Sequence, residues 1–140
     1  MHSGHIKLLS VVCVVMGVAL LSLEMLALLH AEEWSIPRHL GWPTWMGMAG
    51  TVVLLVGLEM GRRAATPGLA WLSRRWQISF PAGFVGVSLA TGFPFPIVST
   101  AAVAQYPALQ AAICLLAGLS CASMYGALVG VAWEWRRRRR

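Results

Sequence analysis

Aspartate is absent from this chain of 140 residues, and only 11% of the residues are charged, whereas 58% are hydrophobic. A soluble globular domain carries much more charge, so the composition excludes that class and indicates a membrane protein. Cysteine is also scarce, because the chain has only three. They form no CxxC pair and lie in apolar segments, which indicates small packing residues rather than a metal or redox site.

Four long apolar runs predict four transmembrane helices, at about residues 6–30, 45–61, 80–104 and 108–133. The expected fold is therefore an all-α, polytopic membrane domain that comprises residues 1–140. The third run differs from the others because it contains the sequence Gly92-Phe93-Pro94-Phe95-Pro96. Proline lacks an amide hydrogen and clashes with the preceding helical turn, so we expect the third helix to be broken at Pro94 and Pro96.

The positions of the basic residues predict the orientation of these helices. With both termini in the cytoplasm, all but one of the eleven Lys and Arg residues lie on the inner side, and only Arg38 lies outside. Such a bias is what the positive-inside rule requires of a multi-pass protein of the cell (inner) membrane. The net charge of +6 therefore serves orientation and contact with lipid headgroups, and no nucleic-acid partner is expected.

Small residues predict the faces on which the helices pack. Two GxxxG motifs, Gly57 to Gly61 and Gly126 to Gly130, permit close contact between helices. Glu24 lies on a stripe of small and polar residues in the first helix, and a carboxylate at that depth is costly. Two kinds of role are open for Glu24. In a functional role it relays a proton or cation, or lines a pore. In a structural role it forms an interhelical hydrogen bond or reaches the outer interface.

The candidates for catalysis or metal binding on the outer side lie in the outer connection and at the end of the first helix. They are Glu24, His30, Glu32, Glu33 and His39. Their spacing matches no recognised metal or haem motif, and the chain has no phosphate loop or activated nucleophile. We therefore predict no catalytic residue, no metal and no cofactor, and the chain is not expected to be an enzyme.

The sequence W-x-x-S-F-P-x-x-F at residues 76–84 opens the third run behind a basic connection. It resembles the penultimate helix of the tellurite-resistance/dicarboxylate transporter family, which includes the slow-type anion channels of plants. The resemblance is specific only over about Trp76–Thr91. The hairpin spacing, the cytoplasmic ends and the basic tail after Trp135 resemble the last four helices of that family more loosely.

The resemblance implies a pore protein in which helical hairpins surround a central path gated by a phenylalanine. The gate would correspond to Phe80 or Phe84 of this chain. Family members have ten helices, whereas this sequence predicts four, so one chain could not enclose that pore alone. The resemblance therefore implies a truncated relative or one protomer of an oligomeric pore.

The predicted break in the third helix is compatible with anion passage on separate grounds. The N-terminus of its second half would point toward the membrane centre, with the amides of residues 97–99 free to face an anion. The pore-lining candidates at the break are Phe93, Pro94, Pro96, Ser99 and Thr100. The alternative is a proline kink that serves packing alone.

These observations lead to two hypotheses. The first is a transport-type membrane protein that passes anions or small dicarboxylates, as a homo-oligomer in the lipid bilayer. The alternative is a non-catalytic accessory or assembly subunit whose small-residue faces dock on a larger membrane complex.

Overall fold

The computed structural model describes residues 3–29, 42–91 and 106–140, and every regular element in these ranges is an α-helix. The prediction of an all-α chain is confirmed for this part of the sequence. In chain order the helices are α1 Ser3–Leu29, α2 Trp42–Arg63, α3 Leu69–Arg74, α4 Trp76–Thr91 and α5 Pro107–Arg139.

Two of the described helices are long and apolar enough to cross a membrane. They are α1, over Gly4–Ala27, and α5, over Pro107–Arg139. A helix rises about 1.5 Å per residue, so about 20 apolar residues cover the hydrocarbon core, and both segments exceed that length. The final turn of α5 consists of arginines, which places charge immediately after the apolar stretch.

Helices α1 and α2 pack closely because glycines lie at their contacts. A Cβ built on Gly17 would lie 2.6 Å from the Cβ of Leu54, and one built on Gly57 would lie 2.8 Å from the Cβ of Cys13. Neither contact leaves room for a larger residue. Leu54 and Leu58 are in consequence almost fully buried and form the centre of the core with Leu21 of α1.

Helix α5 contacts each of the other four described helices. Its Gly118 lies against Val18 and Ser22 of α1, and its Ala122 joins the core around Leu54. The short α3 is reached through a turn in which Ala65 and Gly68 have positive φ angles of 53° and 83°. Helix α3 then packs between the ends of α2 and α5.

Candidate functional site on helix α4

Helix α4 contains the whole segment on which the family resemblance depends, and it has two different faces. The buried face consists of small residues at helical spacing: Ser79, Gly83, Gly86 and Ala90. It packs on α5, where Gly83 lies against Met124 and Gly86 against Ser120. Among the described helices, α4 contacts only α5 and α3. The rest of its circumference meets no other described helix.

The opposite face of α4 is apolar and exposed. Phe80 is 39% exposed and Phe84 is 51% exposed, and Ile78 and Val85 elsewhere on the helix are 55% and 56% exposed. Residues four apart on a helix lie on the same side, so the two phenylalanines form one aromatic surface. Pro81 lies inside the helix between them and cannot donate to the carbonyl of Gln77. The structure thus brings both gate candidates together on an outward surface.

Ser79, the serine of the resembling motif, lies at the centre of the α4–α5 contact. Its carbonyl accepts a hydrogen bond of 2.7 Å from the hydroxyl of Ser123. Ser79 is only 1% exposed, and its own hydroxyl is buried without a hydrogen-bond partner among the described residues. A buried hydroxyl without a partner carries the cost of its lost hydration.

Substitution of these two serines is expected to have opposite effects. Ser79→Ala removes an unpartnered hydroxyl, so the free energy of unfolding should stay constant or rise by about 1 kcal/mol. Ser123→Ala removes a donor from the Ser79 carbonyl and should lower it by about 1 kcal/mol. Thermal unfolding in detergent, followed by circular dichroism, measures both. Equal losses in the two variants would contradict this account of Ser79.

Glu24 lies away from this surface. Its carboxylate lies directly against Gly47 of α2, where a Cβ would overlap it, so the residue belongs to the contact between α1 and α2. Glu24 is half-buried there. Because α4 contacts neither α1 nor α2 within the described residues, the structure does not bring Glu24 together with Phe80 and Phe84.

The four glycines of the GxxxG motifs are occupied within the chain. Gly57 lies against Cys13 and Val14 of α1, and Gly61 lies against Leu69 of α3. Gly126 contacts Leu72 of α3 and Leu58 of α2, whereas Gly130 meets the carbonyl of Ser73. Three of these contacts involve α3, a helix that the apolar pattern did not reveal. These positions therefore serve the internal packing of the bundle.

A hydrogen bond that the sequence did not indicate fixes the beginning of α4. The indole nitrogen of Trp76 donates to the carboxylate of Glu134 at 3.0 Å, and Arg138 binds the other oxygen at 2.7 Å. Tryptophan near a membrane interface is common, so Trp76 alone gave no sign of a partner. The bond ties the first turn of α4 to the last turns of α5.

Several predicted site residues lie outside the described residues: Phe93, Pro94, Pro96, Ser99 and Thr100 of the expected break, and His30, Glu32, Glu33 and His39 of the outer connection. Within the described ranges, His, Cys and Glu side chains form no group of three or more that could hold a metal ion. Comparison with protein-family models, with curated proteins and with solved structures found no match to this chain.

Proposed function

We propose that the chain is a multi-pass protein of the cell (inner) membrane that passes anions or small dicarboxylates through a path formed between copies of the chain. The observation that carries this proposal is the aromatic surface of α4. Phe80 and Phe84 lie side by side on the exposed face of a helix whose other face is closed by α5. An aromatic gate in an oligomeric pore requires that arrangement.

The interior of a single chain offers a poor route for an ion. Between α1, α2 and α5 the core is filled by Leu21, Leu54, Leu58 and Ala122, all less than 9% exposed. The α4–α5 contact is equally tight, since Gly83 and Gly86 leave no room for even a methyl group. A path between copies, along the open side of α4, avoids both contacts.

The position of Glu24 supports anions as the transported species. An ionised carboxylate on the path would repel them, and Glu24 lies on the α1–α2 contact rather than on α4. No Lys or Arg occurs within the apolar part of α4 or α5, so binding would be weak. Weak binding suits conduction, because an ion must also leave its site.

The proposed topology has four crossings with both termini in the cytoplasm. The last turns of α2, α3 and α5 contain the basic residues Arg62, Arg63, Arg74 and residues 136–139. The positive-inside rule places these ends together on the cytoplasmic side. In this arrangement α1 and α4 run outward, and α2 and α5 run inward.

The accessory or assembly subunit is the second candidate function, and one observation favours it. All four motif glycines are occupied internally, whereas the apolar face of α4 that no other described helix covers is available for docking on a larger membrane complex. A different protein would then cover Phe80 and Phe84. A monodisperse oligomer formed by this chain alone would count against this candidate.

The test is anion flux into proteoliposomes that contain only this chain, with chloride and a small dicarboxylate as the probes. Phe80→Ala and Phe84→Ala are compared with Val85→Ala, which shortens another exposed apolar residue on the same helix. We expect flux to rise several-fold when the gating phenylalanine is shortened and to stay constant in Val85→Ala. Absence of flux from all variants, in protein shown to be folded, would exclude the channel and leave the accessory subunit.

A further inference from the structure

A groove between the inner ends of α2 and α5 combines an apolar part with a cationic part. The two helices run in the same direction, since Thr51 lies 3.5 Å from the Tyr125 hydroxyl and Arg62 lies farther along, over the ring of Trp133. The groove between them is open on one side and has a volume of about 280 Å³. Its lining includes three arginines and one glutamate, so the groove carries an excess of positive charge.

The two kinds of lining residue are separated along the helix axes. Leu55 on α2 and Val129 on α5 line the groove two turns before Arg63 and Arg136. Two turns of helix correspond to about 10 Å. The groove is therefore apolar toward the centre of the bundle and cationic toward its inner end, as an acyl chain attached to a phosphate would require.

Arg62 holds the base of the groove in place. Its Nε and Nη2 donate to Glu59 at 3.0 and 2.7 Å, and its guanidinium carbon lies 5.1 Å from the centre of the Trp133 ring. The side chain is only 18% exposed. Arg62 is thus a structural cation, and the guanidinium groups open to a ligand are those of its neighbours.

Arg63 and Arg136 are the cations available to a ligand. Arg63 is 72% exposed, and within the described ranges its one side-chain bond runs from Nε to Glu59, so both terminal amino groups are available to a ligand. Arg136 forms no ion pair within the described part of the chain, although it faces the same groove. Guanidinium groups bind phosphate oxygens through paired hydrogen bonds.

We infer that this groove binds an anionic phospholipid of the cytoplasmic leaflet, with the phosphate on Arg63 and Arg136 and an acyl chain along Leu55 and Val129. The inference rests on the membrane crossing proposed above and is independent of transport. Basic pockets between transmembrane helices on the cytoplasmic side recognise anionic headgroups in this way. A flexible basic tail alone would instead attract any polyanion, with no groove for an acyl chain.

Native mass spectrometry of the detergent-purified protein tests the assignment, with dioleoyl phosphatidylglycerol and dioleoyl phosphatidylcholine added in equal amounts. The wild-type chain is expected to retain phosphatidylglycerol preferentially. In the double variant Arg63→Gln/Arg136→Gln the preference should fall on the order of tenfold. The matched control is Arg139→Gln/Arg140→Gln, which removes the same charge from the tail and should keep the preference.

A second pair of variants tests the shape of the groove separately from its charge. Ala132→Trp fills the groove and leaves every arginine in place, so it should also lose the lipid, whereas Val131→Trp on the adjacent position should keep it. Equal losses in both arginine variants, or no preference in the wild-type chain, would overturn the inference. Displacement of the lipid by inorganic phosphate or by a short oligonucleotide would overturn it in favour of a general anion site.

The outcome is distinguishable from failure of the proposed function. Flux is measured in vesicles of phosphatidylcholine alone, so it does not depend on the groove. A chain that selects phosphatidylglycerol but passes no anion contradicts transport and leaves the lipid site intact. A chain that passes anions without selecting phosphatidylglycerol contradicts the lipid site only.

Discussion

Replacing Gly86 by alanine is expected to lower the free energy of unfolding by about 2 kcal/mol, because the added methyl group has no space in the contact between α4 and α5. A Cβ at this position would overlap the hydroxyl of Ser120 and lie 2.9 Å from its Cβ. Ser120 is itself 5% exposed and cannot move into solvent. The two helices must then separate locally, which weakens the whole interface.

Replacement of Ser120 by glycine in the same chain should restore about half of that loss, since it removes the atoms that the new methyl group meets. Glycine within a helix has a cost of its own, of about 1 kcal/mol, so the single variant Ser120→Gly is needed as the control. We expect a coupling energy of about 2 kcal/mol in the double-mutant cycle. Urea titration in detergent, followed by circular dichroism, gives the four unfolding free energies.

This double-mutant cycle also tests which face of α4 packs on α5, and the proposed function depends on that orientation. If Gly86 faces Ser120, then Phe80 and Phe84 face away from the bundle. Independent effects of the two substitutions would mean that α4 is turned differently, and the proposed path between copies would lose its basis. The unfolding experiment therefore tests the site without requiring transport activity.

The sequence predicted the helical class and the packing face of α1, because the signal there is a contrast between residue types. The stripe of small and polar residues in the first helix predicts a face that meets other helices, and its members Ser10, Gly17 and Ala27 are buried. On α4 the exposed and the buried face are both apolar, so hydrophobic periodicity carries no information about orientation. The small residues Ser79, Gly83 and Gly86, at helical spacing, are the signal that could have revealed it.

Helix α3 could not be predicted, and its presence changes the meaning of the GxxxG motifs. It has only six residues within a polar connection, too few for a periodic pattern to emerge. The sequence left open which helix Gly61, Gly126 and Gly130 would contact. A motif of this kind shows that a close neighbour is tolerated, but the identity of the neighbour depends on the path of the chain.

The second large effect is expected from Gly130→Ala. A Cβ at this position would overlap the carbonyl oxygen of Ser73 and lie 2.8 Å from its carbon atom. The obstacle is helical backbone rather than a flexible side chain, so α3 as a whole must move away from α5. We expect the free energy of unfolding to fall by about 3 kcal/mol.

Gly4→Ala is the matched control, because a Cβ there has no atom within 4 Å. Alanine favours a helix over glycine by about 1 kcal/mol, so this variant should be neutral or slightly more stable.

Displacement of α3 should also disturb the hydrogen bond between Trp76 and Glu134, because Trp76 lies only two residues after the end of α3. Trp76→Phe removes that bond alone and should cost much less than Gly130→Ala. If Gly130→Ala proves as harmless as Gly4→Ala, α3 does not occupy this face of α5. The motif from Gly126 to Gly130 would then be open to a helix of another protein, and the accessory subunit would become the better account of the chain.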